Sequence, residues 1–187
     1  RIVETKDIIL FPQVNPDGRH FSMDRHPMWR KNRRPAPPGR GHGSIGVDLN
    51  RNFPLMWDFE RHFAPDTVEN SRNPGDYETY TGPRAASEPE TKNVIWLLDH
   101  FPQIRFFIDL HSYGETLLHN WGGDQNQTHD PSMSFMNKAY AGKRGLIHDD
   151  EYREHMPAAD QKLAIALGNK LADAIRLVRG RTYKVQQ

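Results

Sequence analysis

Gly46-Val47-Asp48-Leu49-Asn50-Arg51-Asn52-Phe53 is the stretch on which the reading of this 187-residue chain turns. It sets an acid, two amides and one arginine at the mouth of a short apolar segment. Ile45 to Leu49 reads as a strand running into an Asn50–Pro54 loop. A buried arginine in such a place presents five N–H donors in a planar fork, which suits a carboxylate held by two parallel bonds. Taken alone, the residues leave two readings level: an internal salt bridge between Asp48 and Arg51, or a site that holds a ligand.

Working outward, Asp7-Ile8-Ile9-Leu10-Phe11-Pro12 predicts a short buried strand stopped by proline. Asn15-Pro16-Asp17-Gly18 predicts a turn. Residues 25–40 form a basic loop that contains Trp29-Arg30-Lys31-Asn32-Arg33, followed by a flexible Pro/Gly insertion over 37–43. Downstream, residues 53–80 lack a clear period and predict loop, with one short helix near 56–62. Ser87 is a good N-cap, Glu90 completes a capping box with it, and Pro89 is tolerated in a first turn. Val94, Ile95, Leu97 and Leu98 then give the apolar face of a helix ending near His100.

Arg105-Phe106-Phe107-Ile108-Asp109-Leu110 predicts a buried strand, with His111 at its C-terminal end, where open α/β sheets place ligands. Asp130-Pro131 predicts a helix start, and Met133, Met136 and Tyr140 supply an apolar stripe expected in the core. His148 and Glu151 have the His-x-x-Glu spacing of a metal pair, but they sit in a charged stretch with no strand leading in, so a solvated loop is expected there. Residues 158–179 predict the best helix, with Leu163, Leu167, Leu171, Ile175 and Val178 on one face and Gly180 as its stop. A strand is expected to begin at Thr182-Tyr183-Lys184-Val185.

Composition narrows the function classes. Lys+Arg is 25 and Asp+Glu is 24, so no net basic charge favours nucleic acid or an anionic membrane surface. There is no Cys, which excludes disulfides and thiolate zinc sites; a metal here needs His and carboxylate ligands, and the 10 His make that worth pursuing. No apolar run is long enough to span a bilayer.

Five motifs in order carry a resemblance: Asn15-Pro16-Asp17-Gly18, Trp29-Arg30-Lys31-Asn32-Arg33, Gly46 to Phe53, Ser87-Glu88-Pro89-Glu90-Thr91 and Asp109-Leu110-His111-Ser112-Tyr113. The set resembles the zinc metallocarboxypeptidases of the carboxypeptidase A/B type. The resemblance implies a three-layer α/β/α fold around a mixed twisted sheet, incomplete at both ends, with residues 1–187 the central part of a single catalytic domain. It implies Zn2+ as cofactor, with His111 as the third zinc ligand, and a peptide or protein C-terminus as substrate. Arg30 would face the scissile carbonyl and stabilise the oxyanion. Asn50 and Arg51 would hold the substrate's terminal carboxylate. Asp48 would orient a zinc-bound histidine. Ser112 and Tyr113 would line outer substrate subsites, and Leu118 and Gly122 the pocket for the C-terminal side chain. The family's His-x-x-Glu pair would lie before Arg1, and its closing tyrosine and general-base glutamate after Gln187. The chain by itself is therefore expected to be inactive and to bind zinc poorly. An alternative is a non-catalytic module that binds peptide C-termini. A secreted or periplasmic setting is implied by the resemblance alone, and the oligomeric state is left open.

Overall fold

A computed structural model describes residues 4–36, 45–112, 114–124, 126–146 and 151–187. Tyr113 and His148 thus lie outside the described residues, as does the whole 37–43 insertion. The elements are α1 (Pro16–Asp24), α2 (Phe59–His62), α3 (Pro89–His100), β1 (Thr116–Leu118), β2 (Gln127–Thr128), β3 (Glu154–His155), α4 (Ala158–Arg179) and β4 (Lys184–Gln186). They fall into two units: Arg1–Trp57 with Glu69–Arg105, and Asp58–Val68 with Phe106–Gln187.

In the first unit, Asn15-Pro16-Asp17-Gly18 begins a helix rather than making a free turn. The Asn15 side chain accepts the Gly18 N–H at 3.0 Å, and Pro16 takes a first-turn position whose missing N–H costs no helical bond. Asn15 Nδ2 also donates to the Lys31 carbonyl at 3.1 Å, which fastens α1 to the Trp29–Arg33 stretch. α3 starts one residue later than a Ser87 cap would give: Glu88 occupies the cap position, and the side chains of Ser87 and Glu90 bond elsewhere. Its buried face is Thr91 and Val94. The apolar core of this unit is small, with Val47, Tyr80 and Val94 beside buried Lys31, Asn32, Asp48, Asn52, Thr81 and Glu88. Polar groups removed from water in this way must be paired, and these pairings organise the candidate site.

In the second unit, β1 pairs in parallel with β4, in register Thr116↔Lys184, Leu117↔Val185 and Leu118↔Gln186. β2 pairs in parallel with β3, Gln127 opposite Glu154 and Thr128 opposite His155. α4 has the predicted bounds and ends at Gly180, whose φ of +66° closes the helix in a left-handed cap open to glycine at no steric cost. The core holds Phe63, Tyr152, Met156 and Arg144. The Arg144 guanidinium donates to the carbonyls of Phe135 (2.7 Å), Asn137 (2.9 Å) and His62 (3.3 Å) and lies over the Phe135 ring.

Parallel pairs and helices give α/β organisation, but three expected strands do not pair as such. Residues 7–11 and 105–110 form no ladder among the described residues, and their side chains are exposed, 81% for Leu10 and 90% for Leu110. An apolar run specifies a strand only where a neighbouring strand offers hydrogen bonds and a second layer covers its faces. Residues 46–48 come closest: the Gly46 N–H bonds the Arg34 carbonyl, the Val47 carbonyl accepts from Asn32, and the Asp48 N–H bonds the Tyr80 carbonyl. The α4 stripe is only partly covered: Leu167 and Ile175 are half-buried, Leu163, Leu171 and Val178 are exposed, and no residue of the helix is fully buried.

Candidate functional site

The central stretch folds as a short 3-10 turn, Leu49–Arg51, gripped at both ends. At its start, Asp48 Oδ1 accepts the Asn50 N–H at 3.1 Å. The other oxygen, Oδ2, lies 2.8 Å from Arg30 Nη2. The Asp48 side chain is 4% exposed and that of Arg30 45%, so the pair is a buried anion with a cation reaching in from solvent. Asp48 therefore pairs with Arg30, not Arg51 as the internal salt-bridge reading supposed. Lys31 adds a second positive charge near Asp48. Burial lowers the Lys31 pKa, opposed by Asp76 and Asp48, and its ammonium donates to the Asp76 carbonyl.

At the end of the turn sits Asn52, with no exposed surface. Its Nδ2 carries two N–H groups facing three acceptors: the Thr81 carbonyl (2.8 Å), Ser87 Oγ (3.0 Å) and the Arg84 carbonyl (3.1 Å). Its Oδ1 accepts the Glu88 N–H at 3.1 Å, and its carbonyl accepts the Ala86 N–H at 2.7 Å. Ala86 has φ +46°, a left-handed conformation that costs roughly 1–2 kcal/mol for a residue with a Cβ. Surrounding bonds hold it there. Gly82 has φ +84°, and a Cβ there would lie 2.7 Å from both Asn52 Nδ2 and Ser87 Oγ. Only glycine lets the chain pass this close.

A second amide joins the neighbouring motifs. Asn32 Oδ1 accepts the Val47 N–H at 2.7 Å, and Nδ2 donates to Glu88 Oε2 at 2.8 Å and to Glu90 at 3.2 Å. Glu88 Oε1 takes Arg34 Nη1 at 2.7 Å and Ser87 Oγ at 2.6 Å. The Trp29–Arg33, Gly46–Phe53 and Ser87–Thr91 motifs, far apart in sequence, are thus one buried polar network. Periodicity could not reveal Asn32, Asn52 and Glu88 as its hubs; the signal available was polar residues inside otherwise apolar or turn-forming motifs.

What this scaffold leaves open is Asn50 and Arg51. The Asn50 side-chain amide is exposed and bonds to no side chain among the described residues. Arg51 donates only to backbone carbonyls, Nε to Glu69 and Nη1 to Asn50, both at 3.3 Å, and has no carboxylate partner among the described residues. A half-exposed guanidinium with weak neutral partners, next to a free amide on a pinned turn, can take a carboxylate.

His111 and Ser112 belong to the second unit and are exposed. His111 Nε2 lies 2.8 Å from Asp109 Oδ2. Leu118 is 70% exposed, and nothing lies within 4 Å of a Cβ placed on Gly122. Glu151 pairs with Lys143, as expected of a solvated charged loop, while its would-be metal partner His148 is outside the described residues. Elsewhere in this unit, Glu154 is buried and accepts the Gly123 N–H at 2.8 Å; burial raises its pKa, opposed by the Gly123 and Asp124 backbone amides. No sequence pattern marked this residue.

A family model described as zinc carboxypeptidase matches residues 1–187. The chain belongs to the zinc carboxypeptidase family. It is 36% identical over 121 residues to carboxypeptidase A2 of Rattus norvegicus, covering 65% of this chain and 26% of the relative. It is 32% identical over 157 residues to metallocarboxypeptidase A of Trichophyton tonsurans, covering 81% of this chain and 34% of the relative. The crystal structure of carboxypeptidase A from Helicoverpa armigera superposes with a TM-score of 0.58 at 25% identity, over 93% of this chain and 33% of that one. The expected α/β carboxypeptidase fold is therefore the one present. The chain spans about a third or less of the curated relatives it matches.

Zinc is the metal of this family. Among the described residues, no three His, Cys, Asp or Glu side chains gather to hold a metal ion. A tight site needs three protein ligands or four, and the family resemblance assigns His111 alone among the described residues. The described residues do not by themselves fit a bound zinc. No helix among them is long and apolar enough to cross a membrane.

Proposed function

We propose that this chain is the central part of a zinc carboxypeptidase catalytic domain, and that it contributes the recognition of the substrate's C-terminal carboxylate. The observation that carries this reading is the pair Asn50 and Arg51, displayed without a carboxylate partner among the described residues on a turn fixed at both ends. A peptide's terminal carboxylate fits such a fork, whereas an internal peptide bond presents no charge and leaves the arginine uncompensated. That difference is the physical basis of cleavage restricted to chain ends. Arg30, its guanidinium partly in solvent, is the residue we assign to the substrate's carbonyl oxygen as negative charge develops there. His111 is assigned to zinc, and Ser112 and Tyr113 to outer subsites, on family membership. A peptide or protein end is the proposed partner, in a secreted or periplasmic setting. The chain by itself is proposed to be catalytically silent, because the described residues provide one zinc ligand.

The test is titration calorimetry with a short peptide and its C-terminally amidated form. The free acid is expected to bind about tenfold more tightly, the low end for a charge-assisted pair that is partly solvated. Arg51→Lys, which keeps the charge but loses the fork, should give up most of that margin. Equal affinity for acid and amide rejects the carboxylate clamp. Release of C-terminal residues by the isolated chain rejects its silence.

A further inference from the structure

The clamp residues sit on a turn of three residues, too short to hold its own geometry, so something must fix the direction in which their side chains leave it. Asp48 holds the start of the turn through the Asn50 N–H, but its carboxylate is shared with Arg30. Asn52 holds the end. Through its side chain and carbonyl it is bonded to Thr81, Arg84, Ala86, Ser87 and Glu88. It has no exposed surface, so it cannot touch a ligand. It bonds backbone groups of the 81–88 segment, sharing the Thr81 carbonyl with Trp57 Nε1, and its own N–H closes the turn on the Leu49 carbonyl at 3.1 Å.

We propose that Asn52 is the positioning residue of the carboxylate clamp, acting through the backbone of Leu49–Arg51. This rests on the reading of Asn50 and Arg51 as that clamp. A residue that merely stabilises the unit would lower stability and leave recognition untouched in the folded molecules. A positioning residue changes the distinction between charged and uncharged peptide ends while the protein is still folded.

The experiment uses the whole 187-residue chain. The acid-to-amide affinity ratio is measured by calorimetry for the wild type, Asn52→Ala, Asn52→Asp and Val94→Ala, with circular dichroism to choose a temperature at which each is folded. Asn52→Asp keeps the shape and removes the N–H donors, so it serves if Asn52→Ala does not fold. Val94→Ala empties part of the α3 core without touching the turn. A wild-type ratio of about tenfold that falls below about threefold in the Asn52 variants, with Val94→Ala unchanged, is the expected result. A wild-type ratio retained in the Asn52 variants overturns the positioning role and leaves the clamp standing. A ratio lost equally in Val94→Ala overturns it too, because recognition then follows stability. No discrimination in the wild type overturns the clamp reading and this inference with it.

Discussion

Asn32 offers the sharpest test of the buried network. Replacing it with alanine removes two sets of bonds from a place with 2% exposure. The Val47 N–H, buried and bonded at 2.7 Å to Asn32 Oδ1, is left without an acceptor, a loss of about 1–3 kcal/mol. Glu88 loses the bond from Nδ2 at 2.8 Å but keeps Arg34 and Ser87. A bond to a charged group contributes about 1.5–3 kcal/mol, and the surviving partners place this one at the lower end. The Arg34 N–H is nearer solvent and water can replace its bond. The sum is a loss of about 3–4 kcal/mol, a large share of the total for a domain. Urea unfolding followed by tryptophan fluorescence gives the stability change, and amide hydrogen exchange at Val47 locates it. A loss below about 1 kcal/mol, or unchanged Val47 exchange, would show that the three motifs are not joined through Asn32.

Two further outcomes follow from the second unit. The Glu154 carboxyl has a raised pKa through burial, so protonation favours the folded state. Its contribution is fully present below the ordinary glutamate pKa of 4.5 and is lost as pH rises through the raised folded value. Glu154→Gln should flatten that slope in thermal melts across mildly acid pH, and an unaltered slope would refute the assignment. Zinc titration of the apo chain should show weak binding that disappears in His111→Ala. Tight one-to-one binding that survives His111→Ala and is lost in His148→Ala would instead make His148 and Glu151 the metal pair.

The division between sequence and tertiary structure runs along the range of the forces involved. α4 was legible to its last residue, because a 3.6-residue apolar period and a glycine stop are local signals. α3 was legible for the same reason, although its cap moved by one residue once Ser87 was drawn to Asn52 and Glu88. The family, too, was legible from short motifs in order, since each keeps residue types that its chemistry demands. Of the strands, only the one beginning near Lys184 was legible. Residues 7–11 and 105–110 carry the right composition, but a strand is completed by partners distant in sequence, and none pairs with them among the described residues. The pairing of Arg30 with Asp48, the open Arg51 fork and the Asn32–Glu88–Asn52 network were decided only in three dimensions. The Arg30–Asp48 pair and the Asn32–Glu88–Asn52 links join groups 18 to 56 residues apart, and which buried polar groups meet depends on how the chain closes around them.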